Sequence, residues 1–379
     1  MNLTPVTKHQ RIALAVGTAV ACGAAQAQSS VTLYGVVDAN FEYVNHYSTV
    51  TPSAANGFST GPGGSRFRLN SGGLSGSRFG LRGTEDLGGG ISAIFALEGA
   101  FSLDTGMGQS GGRLFGRQAF VGLNHKTIGA FTFGRQTTSM FDALSNFSPT
   151  GFASQYDPAV AELGADFRSD NMAKYTGAFG PLTASAHRTF GNGVAGSGEV
   201  PGQFRRDSGY GSSVTYASGP FSAMAGYNQY NPTLTTAGEI GSFKKAAVAA
   251  SYAFGSQAKM MAGYRWGQNK AADGSTLLRD DFYWVGANYH FNQGIDLTLG
   301  YFYDDIKKFG DRNMKNPWQL SFIADYSLSK RTDVYLTTAY AKNSGLNFDT
   351  SANGFSSGYF LASGHSSMFG AAVGIRHKF

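Results

Sequence analysis

Cysteine occurs once in this chain of 379 residues, at Cys22. That position falls in a leader-like stretch, residues 1–27, so the processed chain has no thiol and no disulfide framework can hold it together. Charge is also scarce: Asp, Glu, Lys and Arg make up 14%, against about 25% in an ordinary soluble domain. The leader takes two of the 30 basic residues, Lys8 and Arg11, and none of the 24 acidic ones, leaving 28 against 24, or +4. No block of five or six like charges occurs, so a nucleic-acid partner is not indicated. Nor does any stretch after residue 27 approach the ~18 consecutive apolar residues of a membrane-spanning helix.

The leader itself reads as a secretory signal. Lys8 and Arg11 precede the short apolar run "IALAVGTAVACGAA", and Ala25-Gln26-Ala27 offers an A-x-A cleavage site. The residues before Cys22, Ala19-Val20-Ala21, lack the leucine usual at a lipidation site. The expected division is a cleaved signal at 1–27 and one domain at 28–379.

What the chain has in quantity is glycine (53), phenylalanine (30) and tyrosine (19). Strand-length segments with a two-residue period recur from one end to the other. They are predicted near 31–44, 74–84, 90–101, 113–123, 129–137, 170–178, 181–190 and 208–218. Eight more follow near 220–230, 242–254, 256–267, 280–291, 294–304, 316–327, 330–342 and 367–379. Short links such as "EDLGG", "FGP" and "FNQG" alternate with long ones at 45–70, 138–169, 191–207 and 343–366. About sixteen strands with one plain rim and one decorated rim predict an all-β fold, an up-and-down transmembrane antiparallel β-barrel.

The alternation sorts side chains into two faces. Phe79 and Leu81 oppose Arg78, Gly80 and Arg82; Val334, Leu336 and Tyr340 oppose Asp333, Tyr335 and Thr337. One set suits lipid and the other a polar lumen, and closing the sheet pairs every backbone group. The ending "FGAAVGIRHKF" alternates in the same way, placing Phe369, Ala371, Val373, Ile375 and the terminal Phe379 on one face. A last strand that pairs with the first would leave no residue to fray. Asp304-Asp305 is expected to open a surface loop.

Six stretches, in order, carry a resemblance to a known family: "SSVTLYGVVDANFEY", "GGLSGSRFGLRGTEDLGGGISAIFALE", "LFGRQAFVGL", "FTFGRQ", "SLSKRTDVYL" and "VGIRHKF". Together they resemble the general diffusion porins of Gram-negative bacteria, the β-proteobacterial type above all. The resemblance implies sixteen-stranded homotrimers in the outer membrane, in contact with its lipid and lipopolysaccharide, that pass small hydrophilic solutes passively. It implies no cofactor and no metal. It also implies that Val373, Ile375 and Phe379 are read by the barrel-assembly machinery. The third long loop, 138–169, would fold into the lumen as a constriction.

Such a filter works by width and by opposed charges. On the basic wall the resemblance points to Arg78, Arg117 and Arg168, with Arg82 and Arg265 as further candidates. Parity puts Arg78 inward; for Arg117 it puts Ala119 and Val121 inward and Gln118 toward lipid. The acidic candidates are Asp142, Asp157, Glu162 and Asp166, yet no acid flanks the Pro149–Gly151 turn expected at the loop tip. Clustered arginines facing few carboxylates predict a modest preference for anions. A substrate-specific channel is the alternative, with Tyr335 and Trp284 as inward aromatics. No Gly-x-Ser-x-Gly elbow or His-Glu-x-x-His pair supports an enzyme.

Overall fold

A computed structural model describes residues 30–57, 59–164, 167–191, 199–349 and 358–379. The leader and Asp166 lie outside the described residues. Period-two patterning produces seventeen strands among them. The first six are β1 (Ser30–Ser48), β2 (Gly63–Ser71), β3 (Arg78–Gly88), β4 (Ile91–Ala100), β5 (Gln118–His125) and β6 (Gly129–Thr137). The next six are β7 (Arg168–Phe179), β8 (Leu182–Thr189), β9 (Ser208–Ser218), β10 (Phe221–Asn231), β11 (Ser242–Phe254) and β12 (Ala258–Lys270). The last five are β13 (Thr276–His290), β14 (Ile295–Phe309), β15 (Trp318–Ser327), β16 (Thr332–Lys342) and β17 (Ser367–Lys378). From β3 to β17 each strand pairs antiparallel with its neighbours in sequence.

Seventeen segments make sixteen barrel strands because β2 and β3 occupy one position. Both run antiparallel to β1 on the same edge: Ser71 pairs with Ala39, and Arg78 resumes at Val36. Residues 72–77 leave the ladder between them. The stretch "GSRFRLNS", expected within a long link, is therefore strand. Likewise β14 runs on to Phe309, so Asp304 and Asp305 lie inside a strand on opposite faces rather than opening a loop.

The ring closes where the ending suggested. β1 pairs with β17, and beyond it Phe379 N donates to Gly35 O at 3.1 Å while Gly35 N donates to Phe379 O at 3.0 Å. Gly35 is needed there, since a Cβ on it would sit 2.3 Å from the Phe379 ring. Deleting Phe379 removes both bonds, each worth about 1 kcal/mol net, and the ring contact besides. The expected outcome is a lower urea midpoint for the refolded barrel, which tryptophan fluorescence would measure.

Exposure separates the two faces. On β1, Phe41 is 73% exposed between Asn40 at 1% and Glu42 at 2%. Around the ring Leu69, Val121, Phe133, Val248, Leu299 and Val373 are exposed in the same way. A continuous apolar belt of this extent belongs in lipid, because water would drive it to aggregate.

Candidate channel constriction

The long segment after β6 carries two short helices, α1 (Ser139–Leu144) and α2 (Ala159–Leu163). Thr138 caps the first, its hydroxyl accepting from Phe141 N at 3.4 Å. The apolar side of α1, with Met140 and Leu144, and Phe147 just beyond it pack on Met224, Phe282, Trp284 and Phe302. Burying side chains of this size contributes about 1.5–3 kcal/mol each.

Hydrogen bonds fix the rest of the segment to inward-facing side chains at several points of the ring. Ser213 Oγ on β9 donates to Ser139 O at 3.0 Å. Lys259 Nζ on β12 donates to Asn146 O at 2.8 Å, Trp284 Nε1 on β13 to Phe147 O at 2.8 Å, and Asn288 Nδ2 to Pro149 O at 2.9 Å. On the return, Tyr156 O accepts from Gln319 Nε2 at 2.9 Å and Ser321 Oγ at 2.6 Å, both on β15. Gln155 Nε2 donates to Glu42 Oε1 on β1 at 3.0 Å, as does the Tyr156 hydroxyl at 3.0 Å. Phe152 and Tyr156 hold positive φ, 56° and 58°. Bulky residues avoid that region, so these contacts hold a strained backbone in place.

A second inward element completes the arrangement. Asp38 on β1 accepts the backbone N–H groups of Gly73 (2.9 Å), Leu74 (3.0 Å) and Ser75 (2.8 Å), together with the Tyr335 hydroxyl at 2.5 Å. That carboxylate draws residues 72–77 off the wall. Gly73 O then receives Gln155 N at 2.8 Å, joining the excursion to the loop.

Between these two elements and the wall of β3–β7 lies a cavity of about 380 Å³. Arg78, Arg117 and Arg168 line it together, facing Phe141, Phe152 and Ser154. Glu98 on β4 takes Arg117 Nε at 2.5 Å and Arg78 Nε at 3.6 Å. Beside them Asp170 takes Arg135 at 2.8 Å and Arg113 at 2.9 Å. Arg168 makes no ion pair among the described residues; its guanidinium lies 4.8 Å from the Phe167 ring and 5.4 Å from Phe141. Among the described residues, four guanidiniums thus pair with two carboxylates and Arg168 stands beside them as a fifth.

The remaining candidates sit elsewhere. Arg82 is exposed, 5.1 Å from the Tyr34 ring, beside a separate cavity of about 500 Å³. Arg265 is fully buried, paired with Asp280 at 2.6 Å, and donates to Ala161 O at 2.7 Å, so it anchors α2 instead of lining the path. Gly267 leaves room for that pair, as a Cβ there would lie 2.3 Å from both partners.

Among the described residues, none of the acidic candidates pairs with Arg78, Arg117 or Arg168. Asp142 pairs with Lys174 at the base of the loop and accepts the Thr137 hydroxyl at 2.6 Å. Asp157 borders the arginine cavity, but its carboxylate accepts Ser148 Oγ at 3.1 Å and the Thr150 hydroxyl. Burial pushes it up to about 6. Glu162 is fully buried with neither oxygen partnered among the described residues, and burial, then Asp157, raises it well above the usual carboxylate range against the pull of Arg265. Parity misled at Arg117 as well: Val121 and Leu123 face outward, and Gln118 faces the same cavity as Glu98. Tyr335 and Trp284 do point inward, yet each is buried under polar partners or the loop, so they form no aromatic track.

Asp157 gives the site a pH dependence. Its folded pKa lies above its unfolded one, so loop packing gains from the protonated form at low pH and loses that gain as pH rises from about 4 through 6, by up to about 3 kcal/mol. Ionisation also adds a negative charge beside the arginines. Anion preference is therefore expected to be larger at pH 5 than at pH 8, and Asp157→Asn should flatten the profile; reversal potentials at the two pH values check both.

The sequence profile of the Gram-negative porin family matches residues 13–346. The chain belongs to that family. This porin is 33% identical to outer membrane porin protein 32 of Delftia acidovorans over 98% of its own length and all of the relative's. It is 31% identical to an outer membrane porin protein of Bordetella pertussis, over 94% of this chain and 96% of that one. Among solved structures, an anion-selective porin from Comamonas acidovorans superposes with a TM-score of 0.73 at 30% identity, over 93% of this chain and all of the other. OmpT of Vibrio cholerae in a trimer form, at 15% identity and a TM-score of 0.65 over 93% and 99% of the two chains, shares the fold. The porin is thus an outer-membrane channel and not an enzyme.

Asp38, Glu42, Glu98, Arg135 and Asp170 were missed in the sequence. A signal for the first two was present, in the polar alternation Asp38, Asn40, Glu42 of "VVDANFEY". The others needed the register of three neighbouring strands.

Proposed function

We propose that this porin is an anion-preferring diffusion pore for small hydrophilic solutes, narrowed by residues 138–169. One observation carries the reading: among the described residues five arginines lie in or beside a single cavity with three carboxylates, Glu98, Asp157 and Asp170, while Asp142 pairs with Lys174 and Glu162 is buried outside the cavity lining. Anions are drawn to such a field and cations repelled. Arg78, Arg117 and Arg168 act directly on the passing ion; Arg82 acts at the mouth on the side of the short turns.

The trimeric relative and the exposed apolar belt support assembly as a homotrimer within outer-membrane lipid and lipopolysaccharide. Removal of residues 1–27 would free the first strand, and Val373, Ile375 and Phe379, outward and exposed on the closing strand, suit recognition by the barrel-assembly machinery. Insertion of the purified protein into a planar bilayer tests the pore and its assembly. Conductance arriving in triplets supports the reading. Single unitary steps would remove the trimer, and a folded barrel without conductance would remove the pore.

A further inference from the structure

A second cavity, of about 320 Å³, lies on the other side of the loop from the arginines. Its walls are apolar, from Phe243, Leu278, Ile306 and Phe309 on the barrel, Val160 on α2, and Phe348 from the link after β16. Its floor is polar and acidic. Asp280 and Asp304 line it with Lys245 and Asn269. Asp304 Oδ1 and Asn269 Oδ1 are buried acceptors without a hydrogen-bond partner among the described residues. Asp280 is already engaged by Arg265, which sits behind the floor.

We infer that this cavity is a binding site for a small amphipathic amine, an ammonium group on an apolar or aromatic body. Asp280 is taken up by Arg265, whereas Asp304 presents an unpartnered oxygen to the cavity and is the carboxyl that an ammonium group would meet. Two unpartnered acceptors call for a donor, and a buried acceptor left unmade costs about 1–3 kcal/mol. An anion would meet the same carboxyls with the wrong sign. A bare metal ion fits poorly, because the walls are apolar and no three metal-ligating groups converge among the described residues. The volume is at the lower end of small-molecule sites, roughly 300–1,000 Å³. The site is separate from the arginine path, so its occupant is not the permeating anion.

The test uses the folded protein in lipid nanodiscs, titrated calorimetrically with 2-phenylethylamine and with 2-phenylethanol, with empty nanodiscs as blank. The amine should bind saturably, about tenfold or more tighter than the alcohol, as a charge-assisted bond to a carboxylate requires. Asp304→Asn should remove that advantage and leave the alcohol unchanged. Val160→Trp, on the loop and outside the barrel ladder, should weaken both probes by filling the cavity, with the heat-dependent gel shift of folded barrels verifying each variant. Equal binding of amine and alcohol, an amine affinity untouched by either substitution, or no saturable binding would each overturn the inference.

Discussion

Exchanging Arg117 and Arg168 together for glutamate is expected to turn an anion-preferring pore into a cation-preferring one. Among the described residues, five guanidiniums and three carboxylates, Glu98, Asp157 and Asp170, lie in or beside the 380 Å³ cavity, an excess of two positive charges once Asp157 is ionised. The double exchange brings that to an excess of two negative charges. At ~8 Å in water each unit charge contributes about 0.5 kcal/mol to a passing ion, and more where the loop displaces water. Two charges then bias local ion occupancy by about fivefold, within a Debye length of ~10 Å at 0.1 M salt. The variant should reverse the sign of the zero-current potential in a salt gradient at that ionic strength. Arg78 retains Glu98 as a partner, so the wall keeps a local ion pair and the ladder itself is untouched. A variant that keeps its anion preference would place selectivity somewhere other than these arginines.

The second large effect is structural. Glu42→Leu should leave the barrel folded and the loop loose, read as higher and noisier single-channel conductance. Glu42 is 2% exposed and its carboxylate is a hub: Arg68 and Arg66 pair with it, and Gln155, Tyr156 and Tyr359 donate to it. Removing the acid strands two guanidiniums and the Tyr156 and Tyr359 hydroxyls, and leaves Gln155 with only its bond to Asn40. Breaking a fully buried pair costs about 3–5 kcal/mol, and the partial exposure of both arginines brings this to about 2 kcal/mol. The lost bonds include those that hold the return of the loop against its strained residues, Phe152 and Tyr156. The β1 ladder is backbone-bonded on both edges and survives the change. Conductance and noise equal to those of the unaltered protein would mean that the loop is held without this hub.

Much of this was legible in the sequence because a barrel strand repeats every two residues, and that repeat needs no knowledge of neighbours. Sixteen barrel strands, the closing role of Phe379 and the inward placing of Arg78 all follow from it. The exception on β2 has a physical reason. Asp38 binds three successive N–H groups of residues 72–77 and pulls them from the ladder. One barrel strand is thereby split in two, with its first half hidden in an apparently long link. The site was legible by half. Arg78, Arg117 and Arg168 converge on one cavity, but Arg265 has the same composition and parity and is buried by α2, a contact over a hundred residues away in sequence. Among the loop acids, only packing reveals that Asp157 faces Ser148 and Thr150. Asp166 lies outside the described residues.

The most direct test of the central claim is the zero-current potential of the unaltered protein across a tenfold potassium chloride gradient in a planar bilayer near pH 7. A potential of the sign set by chloride, shrinking as total salt rises, is the predicted result. A potential of the sign set by potassium would contradict the account, because an excess of arginine around the cavity cannot then be what the passing ions meet.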